Sequence, residues 1–494
     1  MNDRSRSALL NPFARAAVLA IALAAASPAS AWQQHLQDVV AEQLAEAPRG
    51  TRFGLVVIDP DGRELVAINP DSRFIPASNT KLFTTAAAFA NLPGLDQPDT
   101  AGGAAVRLVE ARRGVRDVVL VGHGDARLSS AADCVTNCLA TLADAVAART
   151  RRVRDVIGDD TLFPDQRWSP GMSWNNIVTA YGTGISALTV DDNELRLKVT
   201  PGAVGQPPSL DPLPYYRVVN NAVTVADGES DLRFTRMPGS REVHLAGRIV
   251  AGAEPRNLRL GIDDPAYYAA ARLRSMLEER GVRVTGQVRV RHRPAEGGEG
   301  EEPTANAPPP LSSEPVLART LPPPLAEDLV RINKESQNLH SELMVRRLGI
   351  LRGSGSIQDG VATIEAMMEQ AGVARTGWDL SDGSGMSVYN RMAPRAVASL
   401  LRWAATQPWG AAWRETFPVA GVDGTLASRF RGSPLERRLF AKTGTLNATN
   451  ALSGYMMARS GKILTFSFFA NDVPRGGGAT AVMDRVLASI AEAN

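Results

Sequence analysis

The apolar and polar positions of residues 51–92 predict a β-hairpin followed by a helix. In TRFGLVVIDPDGRELVAINPD, two apolar runs flank a Pro-Asp-Gly turn, which is typical of two antiparallel strands. In FIPASNTKLFTTAAAFANL, the apolar positions change to helical spacing directly after a proline. We therefore expect the hairpin to lead into a helix that begins near Ser78.

The central part of the chain predicts a mostly β region. Up to about residue 290, turn signals separate short β-like runs: RDVVLVG, RRVRDVIGD, NELRLKVTP, REVHLAGRIV and VRVTGQVRVR. The Pro-, Gly- and Glu-rich stretch at 293–315 then predicts a linker or a long surface loop.

The C-terminal part predicts helices, three consecutive strands and a last helix. LAEDLVRINKESQNLHSELMVRRLG and IQDGVATIEAMMEQAG have helical patterns, as does AVMDRVLASIAEA near the end. RRLFAKTG, NALSGYMMAR and KILTFSFFAN predict the strands. With the hairpin, they would form one sheet of about five antiparallel strands with helices on its faces. We expect an α+β fold in which residues 32–97 and 311–494 form one domain. Residues 98–310 would be an inserted β-rich region of two subdomains that ends in the linker.

Residues 1–31 have the three parts of a secretory signal peptide. Arginines precede an apolar core at residues 16–26, and Ala29-Ser30-Ala31 matches the small-x-small cleavage pattern. The apolar core is too short to span the ~30 Å hydrocarbon layer of a bilayer. We therefore expect an exported, soluble mature chain that begins near Trp32 and has no membrane span.

The net charge and the two cysteines of the chain limit the kinds of partner and of site that we expect. A formal net charge of +2 without a long basic run argues against nucleic acid as the main partner. Cys134 and Cys138, in CVTNC, favour a small-loop disulfide in an oxidising compartment. A metal site at these thiols is the alternative, and it is disfavoured because no His or further Cys lies nearby.

Ser78 and Lys81 are the first candidate catalytic residues. Residues three apart on a helix share one face, so the two side chains are within reach of each other. A serine hydroxyl needs a base to become a nucleophile, and a lysine whose ammonium is destabilised can be that base. Arginine cannot, because it effectively never deprotonates. The chain is rich in Arg and uses Lys only at positions 81, 198, 334, 442 and 462.

Two further motifs follow in the sequence. Ser336-Gln337-Asn338 lies in or at the edge of a predicted helix, and Lys442-Thr443-Gly444 lies on an apolar predicted strand. A glycine on such a strand allows a ligand backbone to approach closely. Ser-x-x-Lys, Ser-x-Asn and Lys-Thr-Gly in this order are the signature of class A β-lactamases and penicillin-binding proteins.

More than two hundred residues separate the first two motifs, and this spacing resembles that of one family in particular. The family is that of the class C low-molecular-mass penicillin-binding proteins, the D-alanyl-D-alanine carboxypeptidase/endopeptidase family. GDDTLFPDQRWSPGMSWNN, ISALTVDDNEL, LSDGSGMSVYNRMAP and FPVAGVDGTL also resemble its segments. The resemblance implies a penicillin-binding/β-lactamase-like transpeptidase domain with a large insertion. It also implies hydrolysis of peptidoglycan peptides in the periplasm, with β-lactams as covalent inhibitors and with no metal or cofactor.

The resemblance implies a catalytic role for four residues. Ser78 would form the acyl-enzyme, and Lys81 would accept its proton. Ser336 would pass a proton to the leaving amine, and Asn338 would bind the substrate amide and help to fix Lys81. The middle residue of the second motif, Gln337, would point away from the cleft.

The same resemblance implies the substrate-binding residues. Lys442 and Thr443 would bind the terminal carboxylate, and Lys442 would also lower the pKa of Lys81. Gly444 belongs to this strand, and the backbone N–H groups of Ser78 and Thr445 would form the oxyanion hole.

Asp191, in TVDDN, resembles a family aspartate that recognises an amino group of the substrate. A plain turn residue beside Asp192 and Asn193 explains it equally well.

Two other functions use the same residues. One is a β-lactamase or esterase; the long insertion argues against the former, and the absence of Gly-x-Ser-x-Gly argues against the common esterase arrangement. The other is a catalytically weak wall-binding scaffold that keeps the pocket, which the complete set of polar groups disfavours.

Overall fold

The computed structural model describes residues 28–112, 114–295 and 315–494, which fold into both strands and helices. The strands are β1 (Arg52–Ile58), β2 (Glu64–Ile68), β3 (Ala105–Arg112), β4 (Val115–Val121), β5 (Arg152–Val153), β6 (Val156–Pro164), β7 (Glu194–Thr200), β8 (Ser209–Leu210), β9 (Arg217–Val225), β10 (Asp231–Thr235), β11 (Glu242–Val250), β12 (Arg256–Gly261), β13 (Arg283–Val284), β14 (Val288–Arg293), β15 (Ala318–Arg319), β16 (Trp378–Asp379), β17 (Arg391–Met392), β18 (Leu439–Leu446), β19 (Thr449–Met457) and β20 (Ile463–Asn471).

The α-helices are α1 (Pro28–Ala45), α2 (Thr80–Asn91), α3 (Leu139–Arg149), α4 (Trp174–Ile177), α5 (Pro265–Glu279), α6 (Leu325–Lys334), α7 (Asn338–Ile350), α8 (Ile357–Gln370), α9 (Pro394–Ala405), α10 (Gly410–Glu415) and α11 (Thr480–Ala493). Short 3-10 turns lie at Ala77–Asn79, Ala180–Gly182, Asp191–Asn193, Arg375–Gly377 and Gly424–Leu426.

One five-stranded sheet joins the two ends of the chain. Its order is β18-β19-β20-β1-β2, and every neighbouring pair is antiparallel. The link between the ends is the pairing of β1 with β20, in which Val56 lies opposite Ser467. The predicted hairpin, the three C-terminal strands and their union in one antiparallel sheet are therefore confirmed, and so is the α+β class.

Helices cover both faces of this sheet. On one face, α1 and α11 pack together, and Val40 and Val486 join sheet residues such as Phe466 in a fully buried core. On the other face, α9 packs on β1 and β20, and α2 packs against α6, α7 and α8 in a second core. The nucleophile candidate lies at the start of α2, so its position is set by this second core.

The central region contains its own sheets and its own core. A five-stranded sheet has the order β14-β6-β4-β3-β15, in which β4, β6 and β14 run parallel. Two helices of the region, α3 and α5, pack on each other and on this sheet, and the sequence pattern had not predicted them. The strand β15 follows residue 310, so the sheet also uses residues beyond the expected end of the insertion.

Cys134 and Cys138 form a disulfide, as their spacing favours. The bond closes a short loop before α3 in the central region.

The predicted signal peptide at residues 1–31 falls almost wholly outside the described residues, which begin at Pro28. The same holds for most of the linker at 293–315, because residues 296–314 are not described. Within the three described ranges, none of the helices combines the length and the apolar character that a membrane crossing requires.

Candidate active site

Ser78 lies in the 3-10 turn that leads into α2, and its side chain is half-buried and therefore reachable from solvent. The preceding residue, Ala77, has a φ of 47°, in the left-handed region that a non-glycine residue rarely adopts. Gly385 packs against this turn so closely that a Cβ on it would lie 1.9 Å from the Ala77 carbonyl oxygen. The turn is thus held in a strained conformation by a neighbour that must be glycine, as is common at functional sites.

Lys81 is fully buried and its amine contacts three oxygen atoms. Its Nζ lies 2.9 Å from Ser78 Oγ, 2.6 Å from Asn338 Oδ1 and 2.6 Å from the carbonyl oxygen of Ser384. The one-turn spacing of Ser78 and Lys81 therefore does bring the two side chains into contact.

The protonation state of Lys81 follows from these surroundings. Burial lowers the pKa of Lys81 to about 7, although the carboxylates of Asp382 and Glu342 act to raise it. A neutral amine has two N–H groups and one lone pair. Two N–H groups match the carbonyl oxygens of Asn338 and Ser384, which leaves the lone pair for the hydroxyl proton of Ser78.

The second motif occupies a break between two helices. The sequence pattern predicts a helical stretch with this motif in it or at its edge. In the structure α6 ends at Lys334 and α7 begins at Asn338, and Ser336 between them has a φ of 62°. The Gln337 side chain accepts a hydrogen bond from Leu339 N and so caps α7. The break leaves Ser336 half-buried beside Lys442 and places Asn338 beside Lys81.

Asn338 also connects the site to the central region. Its Oδ1 accepts from Lys81, and its Nδ2 donates to the carbonyl oxygen of Tyr181 at 2.8 Å. The amide orientation is thus fixed from both sides, with its oxygen towards the lysine.

Lys442 lies on β18 and is fully buried. Its Nζ donates to Ser336 Oγ at 2.9 Å and to the carbonyl oxygen of Thr443 at 3.0 Å. Burial, and then the charge of Lys81, lower the pKa of Lys442 well below its usual value. The like-charge interaction between the two lysines thus lowers the pKa of Lys442, and not that of Lys81 as the sequence had predicted. Lys81 owes its lowered pKa to burial, because the charges that act on it, those of Asp382 and Glu342, raise it.

The rest of the third motif lies on the outer edge of the sheet, because β18 is an outer strand. The first half of this strand bonds to residues 418–420, and the motif follows that pairing. A Cβ on Gly444 would lie 2.8 Å from the carbonyl oxygen of Pro76 and 3.2 Å from Ser78 N, so glycine permits the strand to pack on the Ser78 turn. The hydroxyl groups of Thr443 and Thr425 lie 2.7 Å apart, and Thr445 is exposed.

Asp191 has its carboxylate directed to Ser130 in the central region. One oxygen accepts from Ser130 N at 2.8 Å and the other accepts from Ser130 Oγ at 2.5 Å. The contacts shown for this carboxylate therefore belong to the central region, and its recognition of a substrate amino group stays a prediction.

Sequence reasoning missed the residues that hold the loop whose Ser384 carbonyl oxygen contacts Lys81. The buried Glu342 accepts the backbone N–H groups of Gly383 and Ser384 at 3.1 and 2.8 Å, which orients the Ser384 carbonyl. Asp382 accepts Gly385 N and Ser387 N, which holds the same loop. Burial, and then the charge of Asp382, raise the pKa of Glu342. The turn-rich Asp-Gly-Ser-Gly at 382–385 was the available signal for this loop.

The described residues form no cluster of His, Cys, Asp and Glu that could hold a metal ion.

Comparison with known proteins gives consistent matches across the chain. The model of the D-Ala-D-Ala carboxypeptidase 3 (S13) family matches residues 36–490. A D-alanyl-D-alanine carboxypeptidase of Actinomadura sp. (strain R39) is 34% identical over 474 residues, which cover 92% of this chain and 84% of that protein. The D-alanyl-D-alanine carboxypeptidase DacB of Haemophilus influenzae is 24% identical, with 88% and 89% covered.

Solved structures agree on the fold. The crystal structure of penicillin binding protein 4 (DacB) from Haemophilus influenzae has a TM-score of 0.77 at 21% identity, and covers 91% of this chain and 98% of that chain. Its complex with a β-lactam has a TM-score of 0.71 at 20% identity, with the same coverage. The fold is therefore that of penicillin-binding proteins.

Proposed function

Because the chain belongs to the D-Ala-D-Ala carboxypeptidase 3 (S13) family, we propose that it hydrolyses D-alanyl peptide bonds of peptidoglycan stem peptides and cross-links through an ester on Ser78. Its family makes it a serine-type carboxypeptidase/endopeptidase. Beyond the family, we propose the substrate, the roles of the individual residues and a periplasmic location.

One observation carries the proposal: Lys81 Nζ lies 2.9 Å from Ser78 Oγ, and the pKa of Lys81 is lowered to about 7. In the first step, Ser78 Oγ attacks the carbonyl carbon of the D-alanyl bond while its proton passes to the lone pair of Lys81. The C–N bond then breaks and the leaving amine takes up the hydroxyl proton of Ser336, which the proton held by Lys81 replaces. An ester with Ser78 remains. Water hydrolyses this ester and regenerates the hydroxyl group.

Ser336 and Lys442 form a second proton pathway. The Lys442 amine donates to Ser336 Oγ, so this hydroxyl keeps its own hydrogen for the leaving amine or for the substrate carboxylate. A carboxylate bound beside Lys442 raises the pKa of that amine again, because opposite charges stabilise each other. Carboxylate binding and protonation of Lys442 would therefore reinforce each other.

The oxyanion is assigned to backbone N–H groups at Ser78 and Thr445. This is supported by the close packing of β18 on the Ser78 turn at Gly444, which brings the two backbones together. Each such donor contributes ~3 kcal/mol of transition-state stabilisation. The outer edge of β18 beyond its pairing with residues 418–420 also gives the substrate peptide a strand to pair with.

β-Lactams are proposed as covalent inhibitors, because they present a strained amide to the same nucleophile. The Haemophilus influenzae structure complexed with a β-lactam supports this for a protein of the same fold. The predicted signal peptide supports a periplasmic location.

Product analysis tests the proposal. The purified mature chain is expected to release D-alanine from stem pentapeptides that end in D-Ala-D-Ala, and to split cross-linked dimers into monomers, as measured by mass spectrometry. Peptides that end in L-Ala are the matched control and should remain intact. The proposal fails if both substrates remain intact, or if a penicillin leaves their hydrolysis unchanged.

The rate of acylation by penicillin is expected to rise with pH and to level off above about pH 7. The reason is that only neutral Lys81 can accept a proton, and its pKa is lowered to about 7. Below this value the rate should fall about tenfold per pH unit. Stopped-flow labelling across a pH series measures the profile, and Lys462→Met, at an exposed lysine, should leave it unchanged. A profile that falls with rising pH would contradict the role of Lys81.

A further inference from the structure

A cavity of about 700 Å³ lies where the central region meets helices α2 and α7. Its walls include Leu92, Phe163, Leu325 and Ile350. None of the catalytic candidates lines it. The volume falls in the range of about 300–1,000 Å³ that small-molecule sites occupy.

Helices α2 and α7 each run from the catalytic residues to the cavity, so the two places lie about one helix length apart. The first turn of α2 contains Lys81, and Leu92 follows its last residue. In the same way, α7 begins at Asn338, and Arg347 and Ile350 near its end line the cavity. At 1.5 Å per residue the two places are roughly 15–20 Å apart. The cavity is therefore a second location and not an extension of the cleft.

Among the described residues that line the cavity, Arg319 is the one cation with no ion pair within the described ranges. Arg347 is neutralised by Asp99, whose Oδ1 accepts from Arg347 Nη2 at 2.8 Å. Burial, and then the charge of Arg319, lower the pKa of His123 to about 4, so this ring is uncharged at neutral pH. Arg319 is exposed at the solvent side, and within the described ranges its guanidinium has a hydrogen bond only with His123 Nε2, at 3.4 Å.

We propose that this cavity binds a single-chain amphiphile with a carboxylate head group, of the fatty-acid type. The apolar walls suit the hydrocarbon chain, since Leu162 and Phe163 line the cavity together with Leu325 and Ile350. The guanidinium of Arg319 suits the carboxylate, because the planar group donates two parallel hydrogen bonds to it. Its place on the solvent side matches the order of tail and head in such a molecule.

Calorimetric titration with dodecanoate, below its critical micelle concentration, tests the proposal. The wild-type chain is expected to bind dodecanoate at least about tenfold more tightly than dodecanol, which has the same chain and no charge. Arg319→Gln should remove this difference by weakening dodecanoate alone. Arg256→Gln, at an exposed arginine on β12, is the matched control and should bind as the wild type does.

A second variant locates the hydrocarbon chain. Ala101→Trp adds the largest side chain at an exposed lining position and should weaken both ligands. Circular dichroism and the unfolding temperature establish that each variant is folded. The proposal is overturned if the wild type does not bind dodecanoate, if Arg319→Gln matches Arg256→Gln, or if Ala101→Trp binds both ligands unchanged.

Discussion

Replacement of Ser78 by alanine is expected to abolish covalent labelling by a fluorescent penicillin. The same variant should hydrolyse a D-Ala-D-Ala peptide at least about 10⁴-fold more slowly, because no other group then forms the ester. Labelling is measured as a fluorescent band that survives denaturation, and hydrolysis as released D-alanine. Lys81 keeps its contacts with Asn338 and Ser384 in this variant, so the fold should be retained.

Two controls make the Ser78 experiment decisive. Ser460→Ala, at an exposed serine in the turn between β19 and β20, should label as the wild type does. The unfolding temperature of Ser78→Ala should stay close to that of the wild type, which separates lost chemistry from lost structure. If Ser78→Ala is labelled at the wild-type rate, the nucleophile is another residue and the proposed mechanism is wrong.

The features that the sequence predicted well are those with local causes. Short apolar runs bounded by turn residues identify β1, β2 and the three C-terminal strands. The contact between Lys81 and Ser78 follows from one helical turn of spacing. Both predictions depend only on residues that are close in sequence.

The break at Ser336 could not be predicted from periodicity. The apolar positions continue from α6 into α7, so one helix and two helices have the same pattern. The positive φ of Ser336 reverses the chain there, and tertiary contacts such as that with Lys442 hold it. Long-range packing thus overrides local preference at a functional position.

The residues that support Lys81 could not be predicted from the sequence for a different reason. Glu342 and Asp382 lie more than 250 residues from Lys81 in the sequence, and their roles depend on which loop packs against which helix. In contrast, local signals for helix α5 are present in the sequence, but the prediction of a mostly β central region did not use them. Asp264 caps the helix and Pro265 occupies its first turn, a combination typical of a helix start.

Replacement of Lys81 by methionine is expected to slow acylation by penicillin about 10³-fold or more. Methionine has a similar length but no lone pair that can accept the Ser78 proton at neutral pH. The residual rate should also lose its rise towards pH 7, because that rise comes from the lowered pKa of Lys81. Stopped-flow labelling across a pH series measures both effects, and Lys462→Met is the matched control at an exposed lysine.

Lys81→Arg separates the positive charge from the base. A guanidinium donates hydrogen bonds to Asn338 and Ser384 but effectively never deprotonates, so this variant should also be slow at every accessible pH. A structural role of Lys81 alone predicts the opposite order, in which arginine restores activity because it restores the buried cation and its donors. Folded Lys81→Arg protein that acylates at the wild-type rate would therefore assign Lys81 to structure, and the base that activates Ser78 would have to be another group.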